Sequence, residues 1–134
     1  MPFSPRSATE LAEEYFRAWL AADEAALAAV LSPHLTFDGP LGSAKDRDAC
    51  VQGLLGMRSS VVSDLMVQTR VASDHDVLTW FDLPSEVAPP TATVNWSHVS
   101  DGLIDEIRVT FDPRALLAGL AVQQTPLDEQ DRRA

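Results

Sequence analysis

Positive charge is scarce in this sequence: ten Lys and Arg stand against twenty Asp and Glu in 134 residues, a formal net charge of −10. Neutralising a phosphate backbone needs clustered basic residues, and the ten here are scattered, so no nucleic-acid interface is expected. Binding to an anionic membrane is disfavoured for the same reason. Cysteine is nearly missing as well. Cys50 stands alone, which excludes an internal disulfide and suits a reducing compartment, so the cytoplasm is the expected location. No apolar run approaches the length of a membrane span. Glu10, Glu13 and Glu14 fall where a signal peptide would need an unbroken apolar stretch.

Familiar chemical signatures are missing too. There is no HExxH, no CxxC and no paired carboxylate–histidine motif, and His34 and His75 sit in loop or turn contexts away from Cys50, so no metal is expected. Without a GxSxG elbow, nucleophilic serine chemistry has no sequence support, and without GxGxxG or GxxxxGK[ST] neither has phosphate cradling. No cofactor is implied.

Apolar residues are plentiful, at 46% of the chain, enough to bury one core or to enclose a pocket within it. Residues 1–125 read as a single domain. The segment 126–134, Pro-Leu-Asp-Glu-Gln-Asp-Arg-Arg-Ala, has too little apolar surface to offset the entropy of ordering it, and reads as a frayed tail.

Ser7-Ala8-Thr9-Glu10 is a capping-box pattern, followed at helical spacing by Leu11, Ala12, Tyr15, Phe16, Trp19 and Leu20. Asp23 is placed to cap a second, shorter helix that Pro33 stops. A strand then runs from Leu35 into Asp38, and Gly39-Pro40 ends its pairing because proline brings no donor. Ser43-Ala44-Lys45-Asp46 resembles another cap, ahead of a third helix on which Cys50, Leu54, Met57 and Val61 stack. Gly53 and Gly56 weaken that helix by about 1 kcal/mol each relative to alanine, so close backbone packing is expected to compensate. The period then changes to two: Leu65, Val67, Thr69 and Val71 alternate with polar or flexible residues, and Ser73-Asp74-His75-Asp76 turns the chain into Val77–Leu83. Thr91–Val99 and Leu103–Phe111 form a further pair about Ser100-Asp101-Gly102. Asp112-Pro113 opens a closing helix. Helices first and antiparallel strands after make an α+β domain, with helices covering one face of a curved sheet.

That order, with Tyr-Phe-x-Ala-Trp on the first helix, Phe-Asp-Gly-Pro-Leu-Gly after the first strand and Ser-Asp-Gly-Leu-Ile before the last, resembles the nuclear transport factor 2-like superfamily. The likeness runs from about Ala8 to Leu120 and is strongest to its SnoaL-like and ketosteroid-isomerase-like branch. It implies a cone-shaped domain in which a curved, mostly antiparallel sheet packs on N-terminal helices around a hydrophobic cavity. The superfold also hosts cyclases, epoxide hydrolases and non-catalytic binding modules.

In the isomerases a first-helix tyrosine donates to the substrate oxyanion, and Tyr15 matches it. The isomerase base is an aspartate directly before the turn proline; here Gly39 holds that place and Asp38 lies one residue earlier. An inserted bulge at Gly39 would turn Asp38 into the cavity, whereas an unbroken pleat would turn it out. Asn95 matches the second oxyanion donor and, as an amide, donates without any pKa shift. Epoxide hydrolases of this fold carry an arginine and an aspartate two apart on a strand, where this chain has Trp80 and Asp82, and a further aspartate where it has Val109.

The resemblance therefore implies a cofactor-free isomerase or cyclase acting by acid/base chemistry on a hydrophobic small molecule. Asp38 is the candidate base and Asp82 its substitute, a carboxylate inside an apolar strand being expensive unless it faces a polar site. Tyr15 and Asn95 are the candidate oxyanion donors. Trp19, Phe37, Met57, Trp80, Val109 and Phe111 are the candidate substrate-binding residues. The competing reading is a non-catalytic ligand-binding or assembly module, with epoxide hydrolysis as a further alternative. Homodimerisation through the outer sheet face is implied by the resemblance.

Overall fold

A computed structural model describes residues 6–62 and 64–124; the expected frayed tail lies outside them. The capping box forms as the sequence implies. The Ser7 hydroxyl accepts from the Glu10 amide at 3.1 Å, and the Glu10 carboxylate accepts from the Ser7 amide at 3.0 Å, starting α1 (Ala8–Leu20). Its apolar stripe of Leu11, Ala12, Tyr15, Phe16 and Trp19 is buried. Asp23 caps α2 (Glu24–Ala29).

The strands form one open, curved, mixed sheet in the order β2-β1-β6-β5-β4-β3. They are β1 (Leu31–Gly39), β2 (Gly42–Ala44), β3 (Met66–Ala72), β4 (Asp76–Leu83), β5 (Thr91–Ser100) and β6 (Leu103–Thr110). Pairing is antiparallel except between β1 and β6, which run parallel. Helix α3 (Arg47–Arg58) follows β2, and α4 (Arg114–Gln124) closes the described chain. Helices α1, α2 and α3 pack with the concave face around a core that includes Leu11, Phe16, Leu27, Leu35, Phe81 and Ile107.

Several local expectations are corrected. Strand β1 begins at Leu31, not Leu35, because the Val30 carbonyl already accepts from the Ile104 amide at 2.9 Å and carries the chain straight from α2 into the sheet. Gly39-Pro40 does not end pairing: the chain reverses over Pro40 and Leu41 and continues as β2, with Gly39 opposite Gly42 and Asp38 opposite Ser43. Ser43 and Ala44 are thus strand residues, and Asp46 is the cap of α3, its carboxylate accepting from the Ala49 amide at 2.8 Å. On β3 a register shift between Val67 and Thr69 breaks the expected alternation, so that Val67 and Arg70 lie opposite the inward-facing Phe81 and Thr79. The expected close packing at Gly53 and Gly56 is absent, since an added Cβ at either position would meet nothing within 4 Å.

Candidate functional site

Between α1, α3 and the concave face lies a cavity of about 210 Å³. Its walls follow from two periodicities. On α1 the helical repeat turns Tyr15, Phe16 and Trp19 inward. On the strands the two-residue repeat brings Phe37 and Gly39 from β1, Phe81 and Leu83 from β4, Thr93 and Asn95 from β5, and Val109 from β6. Cys50, Gly53, Leu54 and Met57 of α3 and Phe111 extend the lining, and Leu41, Gly42 and Ser43 with Ala49 form an exposed rim where the cavity opens.

The polar end of the cavity is a short chain of hydrogen bonds. Tyr15 and Asn95, 2% and 3% exposed, are partners. The Ser97 hydroxyl donates to Asn95 Oδ1 at 3.1 Å. That oxygen keeps a second lone pair, so the Asn95 amide can either accept from the Tyr15 O–H or donate its NH₂ to the tyrosine oxygen; in the second arrangement the phenolic O–H is available to donate. Burial pushes the Tyr15 phenol well above its ordinary range, with the Cys50 sulfur adding to the rise and the Asn95 hydrogen bond opposing it. Burial also pushes the Cys50 thiol up to about 12. Both groups are therefore neutral near pH 7. Trp19 fixes the wall from the other side, its indole N–H donating to the Leu54 carbonyl at 2.6 Å.

The carboxylates do not join them. The β1/β6 register shift falls upstream, between Leu31 and Thr36, after which Thr36, Phe37 and Asp38 pair regularly with Glu106, Ile107 and Arg108. The pleat is unbroken at Gly39, so Phe37 and Gly39 face the cavity and Asp38 faces out, exposed beside Leu78, Trp96 and Arg108. Asp82 shares the same fate. Val77, Thr79, Phe81 and Leu83 are its buried strand neighbours, while Asp82 lies in the opposite phase with Leu78 and Trp80 and accepts from the Gln68 amide at 3.2 Å. Trp80, half exposed on that outer face, is not a wall residue either.

Of the residues the sequence singled out, the fold gathers Tyr15, Asn95, Trp19, Phe37, Met57, Val109 and Phe111 about one cavity and leaves Asp38, Asp82 and Trp80 on the other side of the sheet. Phe81, Leu83 and Thr93 were missed. The burial pattern of β4, in which Phe81 and Leu83 are in phase with Val77, was available as a two-residue repeat. Cys50, read only as a buried small hydrophobe, lies on the wall. Among the described residues no cluster of three His, Cys, Asp or Glu has a metal-binding arrangement. No helix there is long and apolar enough to cross a membrane.

This combination of helices over a curved open sheet defines the class: the chain has the nuclear transport factor 2-like fold. An NTF2-like protein of unknown function from Cytophaga hutchinsonii superposes with a TM-score of 0.75 at 22% identity, covering 87% of this chain and 99% of that one. An LEH-like epoxide hydrolase from M. tuberculosis gives a TM-score of 0.65 at 21% identity, over 84% of this chain and 91% of its own. A de novo designed protein with a curved β-sheet gives 0.71 at 14% identity, over 86% and 93%. A designed scaffold matching as well as an enzyme marks this likeness as one of fold. No family model and no curated protein matches the chain.

Proposed function

We propose that this protein binds a neutral, largely apolar small molecule carrying one hydrogen-bond-accepting oxygen, such as a bicyclic ketone. One observation carries the reading: the described residues that line the cavity include no Asp, Glu, His, Lys or Arg. An ionised ligand would lose its hydration there with no charge to replace it. A neutral one would exchange apolar surface for apolar wall and give its oxygen to the Tyr15 O–H. The space exceeds the ~150 Å³ that accommodates benzene in an engineered cavity, which suits a two-ring molecule.

Isomerase- or cyclase-type turnover, the expectation from the sequence resemblance, would need a base that is unprotonated near neutral pH. Neither Asp38 nor Asp82 brings one to the wall, and the Tyr15 and Cys50 protons are held too tightly for the role. Epoxide hydrolysis meets the same obstacle, with Trp80 outward and Val109 at the wall. Binding without turnover is thus the better-supported alternative.

Calorimetric titration with 1-tetralone and with tetralin, its hydrocarbon counterpart, tests the assignment. The ketone is expected to bind several-fold more tightly in the wild type, and Tyr15→Phe to abolish the difference. Equal binding of the two by the wild type would contradict it. A second copy of the chain is proposed as the macromolecular partner. Leu78 and Trp80, 46% and 50% exposed on the convex face, lie in the same outward phase as Val94 and Trp96 and offer an apolar surface for it.

A further inference from the structure

The two ends of the cavity differ in kind. At one end Tyr15 and Asn95, 2% and 3% exposed, form a buried polar pair. At the other, Leu41 of the β1–β2 reversal and Gly42 and Ser43 of β2 share the rim with Ala49 and Gly53 of α3, and all five are exposed.

One row across the sheet joins the two ends. Asn95 on β5 lies opposite Val109 on β6. An added Cβ at Gly39 on β1 would sit 3.7 Å from the Val109 Cβ, and Gly39 lies opposite Gly42 on β2. In the sheet order β5 and β2 are three strand spacings apart, so this floor runs about 14 Å from the polar pair to the rim. Between Asn95 and the rim, only the Val109 side chain rises from this row. A two-ring ketone with its oxygen at Tyr15 is shorter than the floor, and its far ring edge points along Gly39 towards Gly42. Charge fits at one end alone. Among the described lining residues there is no ionisable acid or base to pair with an ionised group held inside, which would lose its hydration uncompensated; at the rim the same group keeps its water.

We propose that the ligand is an elongated, two-ended molecule. A neutral apolar ketone end lies against Tyr15 and Asn95, and a chain extends from its far edge along the Val109–Gly39–Gly42 row and crosses the rim, ending in a charged or strongly hydrated group in solvent. This rests on the binding reading above and adds to it a direction and a length.

Two ethers of 1-tetralone carrying the same 3-carboxypropoxy chain test it. In the 6-ether the chain leaves the ring position remote from the carbonyl; in the 8-ether it leaves the position beside the carbonyl. Both are titrated calorimetrically against the full chain, with 1-tetralone as reference, at about 0.15 M salt to screen the net negative charge of the protein. The 6-ether is expected to bind no more than about threefold more weakly than 1-tetralone, and the 8-ether at least about tenfold more weakly, because its carboxylate would be drawn into the closed end. Tyr15→Phe is expected to weaken 1-tetralone and the 6-ether by the same factor. Binding of 1-tetralone with a loss of about tenfold or more for the 6-ether would overturn the two-ended ligand and leave the binding reading intact. Equal affinities for the two ethers would also overturn it, since the chain would then have no preferred exit. A 6-ether indifferent to Tyr15→Phe would be held by its chain and not by its ketone, and would overturn it as well. Failure of all three ketones to bind would overturn the binding reading itself, and this inference with it.

Discussion

Tyr15 holds its hydroxyl against Asn95 in an apolar enclosure, and the value of that arrangement lies in what each atom has left to give. Asn95 Oδ1 accepts from the Ser97 hydroxyl and the Asn95 amide is hydrogen-bonded to Tyr15, so the Tyr15–Asn95 pair is the buried polar end that a ligand oxygen would meet. Tyr15→Phe should weaken a ketone by roughly the net worth of one hydrogen bond, about 0.5–1.5 kcal/mol, and should also destabilise the fold by about 1–3 kcal/mol because the Asn95 amide is left buried without this partner. Calorimetry and denaturant unfolding measure the two effects separately. The raised Cys50 pKa adds a pH dependence. Below pH 9 the thiol is protonated in both folded and unfolded chains and contributes no slope; from 9 towards 12 the unfolded chain alone releases its proton, so stability should fall as pH rises through that window. Cys50→Ser should flatten the fall. His98 behaves in the same sense at lower pH. The Asp105 carboxylate, 2.6 Å from His98 Nδ1, raises its pKa, so its small contribution is present below the ordinary imidazole range and lost as pH rises through the raised value. Asp105→Asn should lower the imidazole pKa, read by NMR, by removing its largest cause.

At the level of elements, β1 decides what the cavity contains. A two-residue repeat that presents Phe37 must present Gly39 and hide Asp38, and a single bulge would have reversed the outcome. That is why this part of the site was not legible in the sequence: Phe-Asp-Gly-Pro is compatible with either register, and the choice is made by pairing with β6. Helix α1 was legible, since its capping box and apolar stripe are local. Strand β2 was not, because three residues carry too little pattern, and the β3 register shift was hidden for the same reason as β1. Two substitutions follow from this placement. Asp38→Asn should leave ketone binding unchanged. Gly39→Asp should put a carboxyl group on the wall, where its Cβ meets the movable Phe37 ring at 3.3 Å; burial would raise its pKa towards the range of a general base. Helix α4 has a sharper requirement. A Cβ on Gly119 would run into the Val87 carbonyl oxygen, so Gly119→Ala should cost about 1–3 kcal/mol by forcing the helix off the β4–β5 connection, read as a lowered Tm.

For the molecule as a whole, the sheet separates two surfaces of different character. The concave side holds a neutral cavity, while the convex side carries Asp38, Asp82, Arg108 and Glu106 around exposed Leu78 and Trp80. If a second copy covers that convex face, Trp80→Glu should shift sedimentation from dimer towards monomer without altering the cavity; a wild-type chain that is monomeric at all concentrations would contradict the partner. The helix-then-strand order and the mixed composition made the α+β class readable, because each depends on patterns many residues long. The chemistry did not follow from them, since it turns on which face a single carboxylate occupies. The most direct test is one ¹H NMR experiment on 1-tetralone in D₂O with the wild-type protein. Saturation transfer to the ring protons should report binding while the protons α to the carbonyl exchange at the protein-free rate, with Gly39→Asp raising that rate. Accelerated exchange by the wild type, which requires a working base in the cavity, would contradict the assignment of this protein as a binder.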